Sequence, residues 1–261
     1  MPTRVVVSVH TTLSEAFSDT RNLRGRLVGY FVPRIYPLAD AAVAVSQGVA
    51  EDLICTMGIR QAKVRVIHNP VVTPELFARA SEPLDHPWFA PENPPVVLGV
   101  GNLRAAKDFA TLIRGFALLR KKCPARLMIL GEGQERPKLE ALARDLGIEK
   151  HVALPGFARN PYNYMKHASV FVLSSRREGL PTVLIEAMAL GTPVVSTDCR
   201  SGPREILEGG KWGTLVPCGD PEELAKAILA TPKKPVSTFA RLEPFTLEHA
   251  TAQYLELLMG G

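Results

Sequence analysis

Short runs rich in valine and alanine alternate, over roughly the first seventy residues, with segments whose apolar positions recur every three to four residues. The short runs predict β-strands at residues 5–9, 42–45 and 64–67. The other segments predict a mixed helical stretch at about residues 23–38 and a helix at residues 49–57. Strands that alternate with helices indicate βα units, and therefore a parallel sheet.

A second, longer alternating region begins at Pro95. It predicts a first strand within residues 95–101 and further strands at residues 126–130, 152–154, 170–173 and 193–197. Helices are predicted around residues 109–119 and 139–146, and at residues 161–167, 182–190, 221–230 and about 247–258. This region has the elements of a complete doubly wound domain. The first region has three predicted strands, which make only half of a doubly wound sheet, so we expect the beginning of its domain to be missing.

The two regions are joined by residues 69–95, which hold seven prolines and show no sustained period. Such a composition is typical of a linker. The expected fold class is α/β with two Rossmann-like parts. We expect a partial amino-terminal domain at residues 1–72, a linker at 73–95, a complete ligand-binding domain at 96–235, and a helical extension at 236–261 that packs back toward the amino-terminal part.

Composition narrows the functional classes. The chain of 261 residues is 46% hydrophobic and carries a net charge of +5, which suits an anionic substrate or membrane surface. It contains no run of about 18 apolar residues and no signal peptide, so we expect a cytoplasmic protein. The four cysteines are scattered, which favours reduced, packing thiols. The chain has no zinc-finger spacing and no aromatic-basic RNA motif, which argues against nucleic-acid binding.

Glu178 and Glu186 bracket the segment with the most functional information. It follows the strand predicted at residues 170–173 and opens an apolar helix. Ligands bind at the carboxyl ends of the strands in an open α/β sheet, and the first turn of the following helix offers N–H groups to a phosphate. The segment therefore predicts a site for a phosphorylated, hydroxyl-rich ligand. Each glutamate considered alone could instead be a surface residue or a helix cap.

Arg104 and Lys107 follow a similar turn after the strand that ends near Gly101. The turn resembles a dinucleotide-binding fingerprint, but Arg104 stands where the third glycine belongs, and no acid follows about twenty residues later. Two cations at the carboxyl end of a strand can neutralise a diphosphate. The alternative is a solvated basic start of a helix.

Three weaker signals lie at other strand ends. Gly131 and the pair Gly156-Phe157 follow predicted strands, where a ligand could approach the backbone, although plain turns are equally compatible. His10 ends the first strand and is either a structural histidine or a residue that faces the crevice.

Residues 21–34 carry four arginines and no acid, with Tyr30 and Phe31 among aliphatic residues. This pattern suits a peripheral contact with the inner face of a membrane. An ordinary basic helix fits it equally well.

Together these segments resemble the retaining family-four glycosyltransferases, also called glycosyl transferases group 1, which have the GT-B fold. The resemblance covers nearly the whole chain and is most specific from residue 176 to residue 220. It rests on Arg176-Arg-Glu-Gly-Leu-Pro-Thr-Val-Leu-Ile-Glu-Ala-Met-Ala-Leu-Gly-Thr-Pro-Val-Val-Ser196, Ser201-Gly-Pro-Arg-Glu-Ile-Leu207 and Gly213-Thr-Leu-Val-Pro-Cys-Gly-Asp220. It continues in Ala39-Asp-Ala-Ala-Val-Ala-Val-Ser46 and Ile67-His-Asn-Pro-Val71.

The resemblance implies roles for these residues. Glu178 would contact the transferred sugar, and Glu186 would accept hydrogen bonds from the nucleotide ribose. The loop amides at Leu180, Pro181 and Thr182 would bind the diphosphate. The remaining implied site residues are His10 near the sugar and acceptor, Arg104 and Lys107 on the leaving diphosphate, and Gly101, Gly131 and Gly156-Phe157 along the nucleotide.

The implied reaction is retaining transfer of a sugar from a nucleotide-diphosphate sugar to a saccharide or lipid-linked acceptor, in cell-surface polysaccharide or glycolipid assembly. The Ser-Gly-Pro-Arg-Glu variant at residues 201–205 favours a UDP-sugar. We expect no metal cofactor, because cations and helix amides can stabilise the diphosphate and the chain has no Asp-x-Asp motif. Because the first domain is short, a non-catalytic nucleotide-sugar-binding fragment stays open. A sugar-nucleotide epimerase or a phosphorylase is a third hypothesis, against which the pattern around Glu178 argues.

Overall fold

The computed structural model describes residues 4–14, 23–232 and 238–259, with the backbone alone at residues 23–28 and 239. The amino-terminal half contains a parallel three-stranded sheet in the order β1-β2-β3. Its strands are β1 (Val6–Val9), β2 (Ala41–Ala44) and β3 (Val64–Val66), and its helices are α1 (Leu23–Ile35) and α2 (Gln47–Cys55). The parallel βα arrangement predicted for this half is confirmed.

The carboxyl-terminal half contains six parallel strands in the order β6-β5-β4-β7-β8-β9. They are β4 (Val96–Val100), β5 (Arg126–Leu130), β6 (Val152–Gly156), β7 (Val170–Leu173), β8 (Val194–Thr197) and β9 (Thr214–Val216). The chain starts at the centre with β4, winds outward to β6, returns to the centre at β7 and winds outward the other way. The carboxyl ends of β4 and β7 therefore flank the switch point, where doubly wound sheets bind ligands.

Helices cover both faces of this sheet. They are α4 (Phe109–Arg120), α5 (Arg136–Asp145), α6 (Pro161–His167), α7 (Thr182–Ala189), α8 (Pro203–Ile206) and α9 (Pro221–Ala230). Side chains of β4 alternate between two cores, since Val97 packs in the core with α4, α5 and α9, whereas Val96 and Leu98 pack in the core that includes α6 and α7. None of the described helices has the length and apolar character needed to cross a membrane.

The segment predicted as a linker holds a helix, α3 (Pro74–Ala80). Thr73 caps it by accepting a hydrogen bond from the Leu76 amide at 3.3 Å, and Pro74 occupies the first turn, where its missing N–H costs nothing. The Asn160 side chain donates to the Arg79 carbonyl at 2.8 Å, which ties α3 to the start of α6. The prolines therefore lie in a segment that contains a helix and packs against the carboxyl-terminal half.

The end of the chain returns to the first sheet through α10 (Phe239–Leu242) and α11 (Leu247–Met259). Ala250 and Leu257 are buried against Ala41 of β2. Leu258, next to Leu257 in the chain, is 55% exposed, because adjacent helical residues point about 100° apart.

Phe245 joins the returning segment to the rest of the molecule. Its ring is buried beside His68, with the ring centroids 5.0 Å apart. Its carbonyl accepts hydrogen bonds from the amides of Val71 and Val72 at 2.8 and 3.0 Å, and Val72 forms an isolated parallel bridge with Thr246. The two segments that link the halves of the chain therefore run side by side.

We predict that Phe245→Ala lowers the free energy of unfolding by about 3–5 kcal/mol, because it removes a fully buried aromatic side chain. Urea titration followed by circular dichroism measures the change. Leu258→Ala is the control in the same terminal region, and its exposed position predicts a change within about 0.5 kcal/mol. Equal costs in the two variants would contradict the packing described.

Candidate donor-binding site

A pocket of about 330 Å³ opens at the carboxyl ends of the strands around β4 and β7. The loops after β4, β5, β6 and β7 and the start of α7 form its walls. Its lining residues are Val100, Gly101, Asn102, Lys107, Leu130, Gly131, Glu132, Phe157, Ala158, Pro161, Glu178, Leu180, Pro181, Thr182 and Val183. The switch point of the sheet and the motif residues after β7 therefore meet in one cavity.

Gly101 and Gly131 bring two loop backbones together at the floor of the pocket. The Gly101 amide donates to the Leu130 carbonyl at 3.0 Å. Gly131 has a φ of +142°, and a Cβ there would lie 2.0 Å from the Gly101 carbonyl oxygen. Only glycine permits this approach, so the Gly131 turn predicted from the sequence is required by backbone geometry.

Three hydrogen bonds hold the loop after β4 against the loop after β7. The Ser174 hydroxyl donates to the Lys107 carbonyl at 2.9 Å, and the Arg176 amide donates to the Ala106 carbonyl at 2.8 Å. The Arg176 guanidinium donates through Nε to the buried carboxylate of Asp108 at 2.7 Å. These contacts fix the backbone of Lys107 beside β7.

Lys107 and Glu178 form the charged centre of the pocket. Lys107 Nζ lies 2.6 Å from Glu178 Oε1, and the Ser175 hydroxyl donates to the same oxygen at 2.6 Å. The Glu178 side chain is only 9% exposed, and a carboxylate so buried needs partners of this kind. Within the described residues Oε2 accepts no hydrogen bond, so one carboxylate oxygen stays available to a ligand.

The amino terminus of α7 also faces the pocket. Thr182 and Val183 occupy the first turn, where amides have no acceptor inside the helix, and no side chain of the described residues caps it. The Leu184 amide donates to the Pro181 carbonyl at 3.0 Å. Pro181 lines the pocket but has no N–H, so the predicted row of amides lacks a donor at that residue.

Glu186 lies outside the set of lining residues, one helical turn beyond Thr182 on the same side of α7. Burial raises the pKa of Glu186 to about 7. Burial also raises the pKa of the neighbouring Tyr162, and the charge on Glu186 raises it further. The two glutamates that bracket the motif therefore differ, because Glu178 is paired inside the pocket, whereas Glu186 is desolvated and has no ion pair with a cation of the described residues.

Of the other predicted residues, Phe157 lies at the pocket, whereas Arg104 and His10 lie outside its set of lining residues. Arg104 is exposed and lines a neighbouring groove of about 520 Å³ together with Arg176 and Arg177. Phe157 stands at the pocket with 82% of its surface exposed. The His10 ring is exposed and lies 3.1 Å from the Ser8 hydroxyl, outside the lining set. The roles of Arg104 and His10 stay predictions.

Asn102 and Ser175 belong to the site but were not predicted. Asn102 directly follows Gly101 and lines the pocket. Ser175 follows β7 and holds Glu178. Their positions just beyond strand ends were a usable signal, although many such polar residues only form turns.

Comparisons with known proteins identify the family of the chain. The family pattern described as "Glycosyl transferases group 1" matches residues 81–238, and "Glycosyltransferase Family 4" matches residues 1–74. The chain belongs to the glycosyl transferases group 1. The family recognised from the motifs is therefore confirmed.

Two curated relatives illustrate the similarity. The N-acetylgalactosamine-N,N'-diacetylbacillosaminyl-diphospho-undecaprenol 4-alpha-N-acetylgalactosaminyltransferase of Campylobacter jejuni is 34% identical over 82% of this chain and 56% of its own length. The lipopolysaccharide 1,6-galactosyltransferase of Salmonella typhimurium is 33% identical over 68% of this chain and 48% of its own length. The chain thus spans about half the length of these relatives.

Solved structures confirm the fold class. HepE of Anabaena in complex with UDP and glucose superimposes with a TM-score of 0.79 at 23% identity, over 99% of this chain and 72% of that one. The apo galactosyltransferase WaaB superimposes with a TM-score of 0.69 at 25% identity, over 94% and 66% of the two chains. The GT-B type of α/β fold expected from the sequence is confirmed.

The environment of Glu186 predicts a pH dependence of stability. Burial raises its folded pKa to about 7 from an ordinary value of 4.5, so the folded state retains the proton between these values. The contribution of the Glu186 carboxyl to the free energy of unfolding is therefore fully present below about pH 4.5, and it is lost as the pH rises through about 7. We predict that Glu186→Gln becomes more stable relative to the wild type by about 2 kcal/mol between pH 5 and pH 8.

Urea unfolding at both pH values measures this difference. Glu256→Gln, at an exposed position of α11, is the control and should show the same difference from the wild type at both pH values. A Glu186→Gln difference that does not vary with pH would mean that the carboxyl group is not desolvated.

Proposed function

We propose that this chain binds a nucleotide-diphosphate sugar, with a UDP-sugar as the preferred donor, and transfers the sugar with retention of configuration. The proposed acceptor is a saccharide or a lipid-linked saccharide in cell-surface polysaccharide or glycolipid assembly. Family membership supports glycosyl transfer, and the names of the two relatives mention a diphospho-undecaprenol acceptor and lipopolysaccharide. HepE, whose structure contains UDP and glucose, supports the choice of donor.

The observation that carries the proposal is the meeting of Lys107, Glu178 and the start of α7 in one pocket. Lys107 and the amides of Thr182 and Val183 supply positive charge and N–H donors, which suit a diphosphate. Glu178 supplies a carboxylate oxygen for sugar hydroxyl groups. A sugar diphosphate carries an anionic diphosphate next to a sugar with hydroxyl groups, so it matches both parts of the pocket.

In the proposed reaction the bond between the anomeric carbon and the diphosphate oxygen breaks, and its electron pair goes to the diphosphate. The acceptor oxygen forms a bond to the same face of the anomeric carbon, and its proton passes to the departing diphosphate. Negative charge develops on the diphosphate, so preorganised cations and amides lower the barrier. We therefore propose a metal-independent reaction in which Lys107 stabilises the leaving group.

The nucleoside is proposed to extend from the diphosphate along the other lining residues. Glu186, beside the first turn of α7, would accept hydrogen bonds from ribose hydroxyl groups, which offset the cost of keeping its carboxylate desolvated. The exposed ring of Phe157 would cover one face of the base, a contact that buries apolar surface.

A second candidate is a donor-binding unit without transfer activity. It is favoured by the position of the His10 ring, which lies 3.1 Å from the Ser8 hydroxyl and outside the set of lining residues. Binding without turnover separates this candidate from the first.

For the site in the cell we propose the cytoplasmic side of a membrane, with α1 as the peripheral contact. The described face of α1 and the turn that follows expose Tyr30, Phe31, Ile35 and Leu38, the last with 79% of its surface. The Arg34 guanidinium lies 3.7 Å from the centroid of the Tyr30 ring. Arginines without acids between residues 21 and 34 complement anionic lipid head groups, and the aromatic rings suit the interface.

We predict that Lys107→Ala weakens UDP binding by about 10- to 100-fold, because it removes a charge-assisted contact to the diphosphate. Isothermal titration calorimetry measures the affinity, and transfer from radiolabelled UDP-sugar to an extracted lipid-linked acceptor measures activity. Arg114→Ala, an exposed cation of α4 outside the pocket, should bind UDP like the wild type. Transfer should persist in EDTA.

The outcomes separate the assignments. Wild-type affinity in Lys107→Ala would overturn the donor site, and UDP binding without transfer would favour the second candidate. Arg104→Ala tests the implied second cation. A loss like that of Lys107→Ala would assign Arg104 to the diphosphate, whereas unchanged affinity would leave Lys107 in that role alone.

We predict that the double variant Phe31→Ser/Ile35→Ser loses most of its binding to phosphatidylglycerol vesicles in a sedimentation assay. The two substitutions remove the apolar side chains that would be buried in the lipid surface. Leu146→Ser, an exposed apolar residue of the other half, is the matched control and should bind like the wild type. Unchanged vesicle binding in the double variant would contradict the assignment. A change of oligomeric state would instead show that a second copy covers this face.

A further inference from the structure

We infer that Ser46 of the amino-terminal half and Ser201 of the carboxyl-terminal half jointly position the loop that carries Glu178, by holding the carbonyl of Gly179. The functional meaning of this arrangement rests on the donor site proposed above. The arrangement itself depends only on the contacts between the two halves, and it makes both serines positioning residues.

Gly179 sits where the two halves touch. A Cβ built on Gly179 would lie 2.3 Å from the carbonyl oxygen of His10, the residue that follows β1. Because real side chains do not tolerate such a distance, the loop backbone packs directly on the backbone at the end of β1. The residue next to Glu178 is therefore in contact with the other half of the molecule.

Two buried hydroxyl groups converge on the Gly179 carbonyl. Ser46 Oγ donates to it at 2.8 Å and Ser201 Oγ at 3.0 Å, and the two Oγ atoms are 2.9 Å apart. Both serines are almost fully buried, with 0% and 3% of their surfaces exposed. A carbonyl in such surroundings has no water to replace a lost donor, so removal of either hydroxyl carries a penalty.

Ser46 is itself fixed at the start of α2. Its Oγ accepts a hydrogen bond from the Val49 amide at 3.3 Å, as the cap of the helix. The next amide, that of Gln47, donates at 2.8 Å to the carboxylate of Glu205, and Glu205 Oε1 lies 3.5 Å from His68 Nε2. The first turn of α2 is thus held from both halves. Through its hydrogen bond, Ser46 fixes the Gly179 carbonyl relative to that turn.

This position matters for the pocket because of chain connectivity. Gly179 directly follows Glu178 and stands three residues before Thr182, the first residue of α7. A displacement of the Gly179 carbonyl would move the carboxylate and the amides together. Contact between the halves therefore sets the geometry of the proposed sugar and diphosphate contacts.

Hydrogen exchange of the ligand-free chain tests the inference directly. We expect Ser46→Ala to speed exchange in the peptide that covers residues 176–184, because the loop loses one of its two anchors. We also expect UDP affinity to fall by about fivefold, as for one lost hydrogen bond.

Thr73→Ala is the matched control. It removes the capping hydroxyl of α3, which accepts from the Leu76 amide at 3.3 Å and has no hydrogen bond to residues 176–184 in the described part of the chain. Both variants should lower the melting temperature, but only Ser46→Ala should change loop exchange and UDP affinity. The double variant Ser46→Ala/Ser201→Ala should deviate from the sum of the single effects, because the two hydroxyl groups share one acceptor.

Unchanged exchange at residues 176–184 in Ser46→Ala would overturn the inference, as would an equal change in Thr73→Ala or strict additivity in the double variant. Faster loop exchange together with a wild-type chain that does not bind UDP would have a different meaning. The positioning by Ser46 would then stand, and the proposed function would fail.

Discussion

The site depends on one constraint, the adjacency of β4 and β7 in a sheet whose winding reverses between them. These strands are separated by about seventy residues in the sequence, yet Val97 pairs with Val170 and Leu98 with Phe171. The loops that follow these two strands therefore start next to each other, and hydrogen bonds from Ser174 and Arg176 join them. The contact between Lys107 and Glu178 follows from this topology, since neither side chain could reach the other from a different strand order.

Much of this arrangement was predictable from the sequence, because strong local patterns carry it. The alternation of valine-rich runs with helical periods predicts βα units, and the bounds of β7, α6 and α9 agree closely with the pattern. The short strand β9 was missed because three residues, of which Val216 alone is buried, give no period to recognise. Helix α3 was missed because the surrounding prolines of residues 69–95 resemble those of a linker, although Thr73-Pro74 is a helix-start signal.

The chemistry of the site was only partly accessible in the same way. The motif located Glu178 and the start of α7, but sequence spacing cannot tell which carboxylate receives a cation. Burial desolvates the Glu186 carboxyl, whose charge acts on Tyr162, whereas Glu178 meets Lys107 from a distant loop. The same limit of sequence spacing applies to Arg104 and Asn102. The backbone conformation after β4 decides that Asn102 lines the pocket, whereas Arg104 lines the neighbouring groove.

The bridge between Val72 and Thr246 has a mechanical consequence. The chain passes between its halves twice, and at this bridge the two passages are hydrogen-bonded neighbours. Because the two connections are tied to each other here, they restrain the halves together rather than as two independent tethers. The contacts at Gly179 join the halves at a second place, so a displacement of one half relative to the other strains the loop that carries Glu178.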